Sequence, residues 1–421
     1  MNTVFKQLNL EWKFLLSQKY ILVLLACTLL VSGYSVFTGL TEIKQQQQTI
    51  ERLKKADVID RSEAQAKHND PGSLAYYSFH LTYSPPSNLA FSALGQRDIY
   101  PWKHRIKMLA LEGQIYESDA PNAELAQAGK FDFVYIISAL APLLIILLFH
   151  DLFASERTSG RHDLLVVTAT SKWKLWGSRT LVRFIAVFVC LMLPFYLGAW
   201  VQGTSINHIA FISFYCLIYL AFWTLLSLWL GRNATSAPKV ASGLIGIWVL
   251  FCFVIPILGD LAINEAIHSP KGADIVLTQR EAVNDAWDLP KETTMNAFVA
   301  THPQWKEYTK MESMFEWKWY YAFQQVGDQT AAPIAQQYRA AAQKKYDLAG
   351  YVSLVSPPLL FQRQITRIAK TDALAAFEYE QGIREFHKQL RLFYYPLLFN
   401  PQSFDKQQLI NLPSFDDLVH Q

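Results

Sequence analysis

The stretch FDFVYIISALAPLLIILLFHDLFASERTSGRHDLLVVTATSKWKLWGSRTLVR runs from Phe131 to Arg183 and decides the fold. Its first part, Phe131–His150, is apolar and carries one charge, Asp132, at its edge. Its second part carries Arg157, Arg161, Lys172, Lys174, Arg179 and Arg183. About 20 apolar residues match the hydrocarbon thickness of a bilayer, and short Lys/Arg-rich loops stay in the cytoplasm. Residues 131–150 therefore read as a membrane span and residues 151–183 as a cytoplasmic loop.

Working outward, four further apolar runs have the same character: 21–40, 184–201, 211–230 and 240–263. Five spans follow, with the N-terminus in the cytoplasm. Residues 1–20 have Phe5, Leu8, Trp12, Leu15 and Leu16 at helical spacing. That pattern suits an amphipathic interfacial helix, or equally the flank of the first span. A cleaved signal peptide fits poorly, because the apolar run is too long and no small-x-small site follows. The three short segments assigned to the cytoplasm hold eleven Lys/Arg against four Asp/Glu, while the remainder holds 27 against 31. This basic excess supports the orientation.

Two long segments lie between and after the spans, 41–130 and 264–421, and read as extracytoplasmic, mostly helical domains. The first opens with a polar stretch, Glu42–Asp70, that continues the first span as one long helix. It goes on to turn-rich sequence with Tyr76, Tyr77, Phe79, Tyr83, Phe91 and Trp102, which suit a small core. The second contains helical stretches at Gln336–Leu348 and Asp372–Tyr395, a turn at Pro357–Pro358, and the aromatic run FEWKWYYAF (Phe315–Phe323). A buried helix is the commoner fate of such a run, a lipophilic path the rarer one. Pro142 implies a kink at a helix contact. Asp260, near the end of the fifth run, reads as a boundary residue, since a carboxylate at a span centre costs roughly 2.5–3.5 kcal/mol. The fold class is thus a mainly α membrane protein.

The composition agrees. Of 421 residues 51% are apolar and 14% aromatic, concentrated in the runs just named, and only 17% are charged. A net charge of +3, dispersed along the chain, gives no basis for nucleic-acid binding. Cys27, Cys190, Cys216 and Cys252 all sit in apolar runs without CxxC spacing, which argues against a disulfide framework or a metal centre. No GxxxxGK[ST], HExxH or GxSxG occurs, and the ten histidines are scattered. The expectation is a non-catalytic chain without a cofactor of its own.

The pattern of a span with a central Pro, then Asp-Leu-Phe-x-x-Glu-Arg-x-x-Gly (Asp151–Gly160), then a basic helix before the next span, resembles the ABC-2-type permeases. These are the membrane subunits of ABC exporters. One branch, bacterial permeases with large periplasmic insertions of unassigned function, is similar over PPSNLAFSALGQRDIYPW (Pro85–Trp102), Lys130–Gly160 and Ser356–Phe386. The resemblance implies a multi-pass protein of the bacterial inner membrane and a second permease chain, identical or different. It implies a separate cytoplasmic ATPase that holds ATP and Mg, with periplasmic proteins as further contacts. It places ATPase coupling at Glu156, Arg157, Gly160 and Arg161, although at Arg161 relatives have a small polar residue. It also implies a sixth, C-terminal span beyond the five readable here. The competing reading is a membrane-anchored interaction or signalling scaffold.

Overall fold

The computed structural model describes residues 2–116, 131–168, 171–234, 236–400 and 404–419. The chain is mostly helical, and five helices are long and apolar enough to cross a membrane: Lys19–Lys67, Phe133–Thr158, Lys174–Val201, Ile206–Gly231 and Ala237–Ala266. We call them spans 1 to 5, taking span 2 to end with its regular helix at Phe149. Helix is the open-ended way to satisfy every backbone N–H and C=O in an apolar medium. Span 1 runs unbroken far past its apolar part, to Lys67, as its polar continuation implies.

The helices overrun the apolar runs. The third begins at Lys172, so Lys172–Arg183, read from sequence as loop, form its first turns. Trp176, Arg179 and Arg183 recur there at helical spacing, and both arginines are buried. The fourth helix begins at Ile206, directly after a four-residue turn in which Gly203 adopts a positive φ of 61°. Thr204 N–H closes that turn onto the Ala199 carbonyl, the helix-ending bond that a left-handed residue permits. Residues 2–17 form a separate helix that breaks at Gln18.

Three spans carry an internal proline, and each is tied elsewhere at that point. Proline removes one helix hydrogen bond and crowds the carbonyl four residues earlier. In span 2 a π-turn, Ile136–Leu140, precedes Pro142; in span 5 another, Leu250–Val254, precedes Pro256. Widening the turn relieves the clash but leaves carbonyls in need of donors. Tyr219 of span 4 donates its hydroxyl to the Ser138 carbonyl (2.5 Å), and Trp248 of span 5 donates Nε1–H to that of Ala139 (2.9 Å). Ser356 donates to the Phe251 carbonyl in the second π-turn (2.7 Å). Before Pro194 in span 3, the Leu191 carbonyl accepts from Ser32 of span 1 (2.8 Å). The helix contact implied by Pro142 is thus a pair of hydrogen bonds.

The described residues between spans 1 and 2 and after span 5 form a head at one end of the bundle. It contains an antiparallel pair, β1 (His80–Tyr83) and β2 (Lys103–Ile106), that the helical expectation for 41–130 did not include. It also contains the helices Gly272–Asp288, Trp317–Val355 and Ala373–Phe399. The aromatic run is a buried helix: Trp319, Tyr321 and Phe323 are all nearly inaccessible, while Phe315 lies at the rim. Tyr83 and Phe91 are likewise buried, whereas Tyr77 is half exposed. Asp260 is exposed on its helix. The segment Trp317–Val355 leads back towards the spans. There the helix Pro357–Ile368, capped by Ser356, inserts Phe361, Ile365 and Ala369 into the core that the spans share.

Removing the Tyr219 hydroxyl by Tyr219→Phe strands the Ser138 carbonyl, and Trp248→Phe does the same to Ala139. Each is expected to cost about 0.6–1.7 kcal/mol, the range for such bonds between membrane helices. Reversible denaturation in mixed micelles measures it, and losses below a few tenths would mean that the carbonyls have other donors. A second expectation concerns pH. Burial pushes His80 down to about 3 and His104 down to about 4, so both are neutral in the folded head. Unfolded imidazoles take up protons near pH 6.5. Head stability is therefore full above about pH 6.5 and falls as pH drops through 6.5 towards 4, by roughly 1.4 kcal/mol per unit for each histidine. A His104→Gln variant with a flatter pH profile between 6.5 and 4 would confirm the source; an unchanged slope would exclude it.

Candidate functional site

Two places bring together residues singled out by the sequence. The first is the base of the bundle, where span 2 ends. The α-helix Ala141–Phe149 gives way to a turn and a short helix, Ala154–Thr158. Gly160 follows with φ 69°, in open space, so glycine is required there by backbone angle and not by crowding. That residue redirects the chain into the helix Arg161–Thr168.

Glu156 is buried. Its Oε1 accepts from Arg179 (3.0 Å) and its Oε2 from Arg161 (2.9 Å). Arg179 donates in turn to Glu11 of the N-terminal helix (3.1 Å) and lies over the rings of Phe14 and Trp176. Two carboxylates and two guanidiniums therefore lock the N-terminal helix, the turn after span 2 and the first turns of span 3 into one block. Pairing of this quality is what makes a buried charge tolerable. Arg183 adds a hydrogen bond to the Leu148 carbonyl at the end of span 2. Arg157 points the other way and donates to the carbonyls of Arg232 and Ala234, in the turn after span 4.

Of the four residues expected to couple a partner, Glu156 and Arg157 are thus engaged within the chain. Gly160 shapes the turn. Arg161 keeps an exposed side chain while pairing with Glu156. The helix that follows has no buried residue, and Leu164 and Val167 are 66% and 82% exposed. Sequence reasoning missed Glu11 and Arg179 as partners. One signal existed: Glu11 is the only acidic residue in the first forty, an anomaly in a basic flank.

The second place is the junction of head and spans, where Pro85–Trp102, the start of span 2 and the helix Pro357–Ile368 meet. The segment Leu89–Leu94 is buried among spans 1, 2 and 3. Phe91 stacks on Phe195 and fills a slot between Gly39 and Gly198; a β-carbon on Gly39 would stand 2.0 Å from the Phe91 carbonyl oxygen. Asp132 caps the start of span 2 through Tyr135 N–H (2.8 Å) and accepts Leu94 N–H (2.9 Å) with its other oxygen. Ser87 donates to the Ala369 carbonyl (2.5 Å) and Gln96 N–H to that of Thr371 (2.7 Å). The helix Pro357–Ile368 ends there on Lys370, a non-glycine residue at φ 53°. Among the described residues no cluster of His, Cys, Asp or Glu is arranged to hold a metal ion.

Glu156→Lys would set a third cation beside Arg179 and Arg161. It is expected to destabilise the fold by about 3–5 kcal/mol, as for a buried pair that loses one partner. Arg161→Ala should stay within about 1 kcal/mol, because that side chain is exposed. Thermal unfolding in detergent, read with tryptic cleavage across residues 151–183, separates the two; equal melting of both variants would refute the block.

Residues 274–416 match the model of a family described as a domain of unknown function (DUF3526), which covers the later head helices and the helix Pro357–Ile368. Neither a curated protein nor a solved structure matches the chain.

Proposed function

We propose that this chain is the membrane-spanning permease subunit of an ATP-driven exporter of the ABC-2 type, working with a separate ATPase that docks at the base from the cytoplasm. The observation that carries this reading is the charge-locked block at the base, from which the helix Arg161–Thr168 projects with no buried residue. A force applied to that helix enters spans 2 and 3 together, because Glu156 and Arg179 leave no slack between them. Leu164 and Val167 supply an apolar contact, and Arg161 and Asp163, exposed while paired with Glu156 and His162, flank it with charge. The chemistry of ATP hydrolysis belongs to the partner, and this chain supplies alternating access by tilt of its spans.

A second permease chain completes the pathway. Span 5 is the least covered of the five, with 11% of its apolar window buried against 28–67% in the others. That exposed surface supports a side-by-side pair.

The test is co-purification of the tagged chain in mild detergent from cells expressing its genomic neighbours, with mass spectrometry of what accompanies it. A P-loop ATPase is expected in stoichiometric amount, and it should be lost on Leu164→Asp combined with Val167→Asp while the melting temperature holds. Those exposed positions replace Glu156 as the place to probe, since a change at Glu156 disturbs the fold itself. Clean recovery of the wild-type chain with no ATPase would overturn the permease reading in favour of a membrane-anchored scaffold.

A further inference from the structure

Between spans 3 and 4 at the base, with His162 and Val166 of the helix Arg161–Thr168 on one side, lies a groove of about 860 Å³, within the ~300–1,000 Å³ of clefts that hold ligands. Its walls are apolar, built from Trp176, Leu181, Phe184, Leu225, Leu228 and Trp229. It opens sideways: Leu225 and Trp229 are 64% and 63% exposed. Its end is different in kind, because Arg157 and Arg232 stand there. Arg157 is hydrogen-bonded only to main-chain carbonyls, and among the described residues neither arginine has a carboxylate within ion-pair distance. This contrasts with Arg179 and Arg161 a few residues away, each of which is matched by a glutamate.

We propose that the groove holds a membrane phospholipid with an anionic headgroup, its acyl chain along Trp176, Leu225 and Trp229 and its phosphate on Arg232 and Arg157. The argument is one of complementarity. Walls this apolar, opening laterally from two membrane-length helices, face acyl chains as their solvent. Two guanidiniums without carboxylates at one end then select charge: the planar guanidinium of Arg232 can bond phosphate oxygens in pairs, and Arg157, whose Nη1 and Nη2 serve carbonyls, adds positive charge. Basic pockets between membrane helices recognise acidic lipid headgroups on this principle. A soluble phosphate would satisfy the arginines and leave the groove empty, and a peptide helix would need no cation at one end. The proposal requires only that the chain crosses a membrane, so it stands or falls apart from the transport reading.

The experiment uses the full chain in nanodiscs of equal parts phosphatidylglycerol and phosphatidylcholine, followed by delipidation in mild detergent and native mass spectrometry of what stays bound. Wild-type protein is expected to retain phosphatidylglycerol over phosphatidylcholine by about fivefold or more. Arg232→Gln should bring the ratio towards that of the bulk. Leu225→Glu, which sets a carboxylate in the acyl path and leaves both arginines, should weaken retention of both lipids. Arg161→Ala, equally cationic but outside the groove, should change nothing. A wild-type ratio equal to the bulk, or full selectivity in Arg232→Gln, overturns the proposal. So does an intermolecular disulfide in Leu225→Cys with no lipid retained, which would mean that a second copy covers the groove.

Discussion

A backbone carbonyl without a donor inside an apolar interior costs several kcal/mol, and the bundle ties four carbonyls beside its prolines to side-chain donors. Pro142, Pro194 and Pro256 each disturb the helix ladder. Tyr219, Trp248, Ser32 and Ser356 donate to carbonyls in the turns beside these prolines, each from a different element. The local defect of one helix thereby becomes a bond between two. Spans 2 and 4, 2 and 5, and 1 and 3 are joined in this way, and span 5 is joined to the head. Dispersion packing alone would leave such helices free to slide, because lipid tails are as apolar as leucine. The hydrogen bonds fix register.

Span 2 sits at the centre of this arrangement and is held at both ends by carboxylates. Asp132 caps its start and, through Leu94 N–H, clasps the buried segment that carries Phe91. Glu156, just past its other end, clasps Arg179 of span 3. Between them the π-turn supplies the point of weakness that a straight helix lacks. Charged groups at the two ends and a loosened turn near the start divide the work: the ends set position, and the widened turn is where the helix departs from regular geometry.

Much of this was legible in the residues. Uninterrupted apolar runs separated by polar stretches announce helices of membrane length, and the polar continuation of the first run announces its long extension. Pro142 announced a tie to a neighbour. What could not be read was which neighbour, because a hydroxyl on Tyr219 and an indole N–H on Trp248 carry no mark of their partner. The starts of spans 3 and 4 were misplaced for a related reason. Hydropathy marks where lipid begins, whereas Trp176 on Phe153, Arg179 on Glu11 and Glu156, and Arg183 on the Leu148 carbonyl continue the helix beyond it. The role expected of Glu156 was read from its charge and its place in a motif. Charge alone does not tell a partner-facing carboxylate from one sealed against two arginines, and only the fold distinguishes them. The strands β1 and β2 are four residues each, too short for alternation to stand out.

The junction with the head joins three stretches that are distant in sequence: Pro85–Trp102, the start of span 2 and the helix Pro357–Ile368. In the fold they share one set of bonds: Asp132 to Leu94, Ser87 to Ala369, Gln96 to Thr371. The same helix, through Ser356, holds the π-turn of span 5, and Phe361 stacks on the Tyr219 ring that serves the π-turn of span 2. The two weakened turns therefore report to one short helix at the foot of the head. Under the permease reading, a tilt that opens either π-turn must move Tyr219 or Ser356 and so displace that helix. Motion begun at the base would reach the head by the bonds beside the prolines.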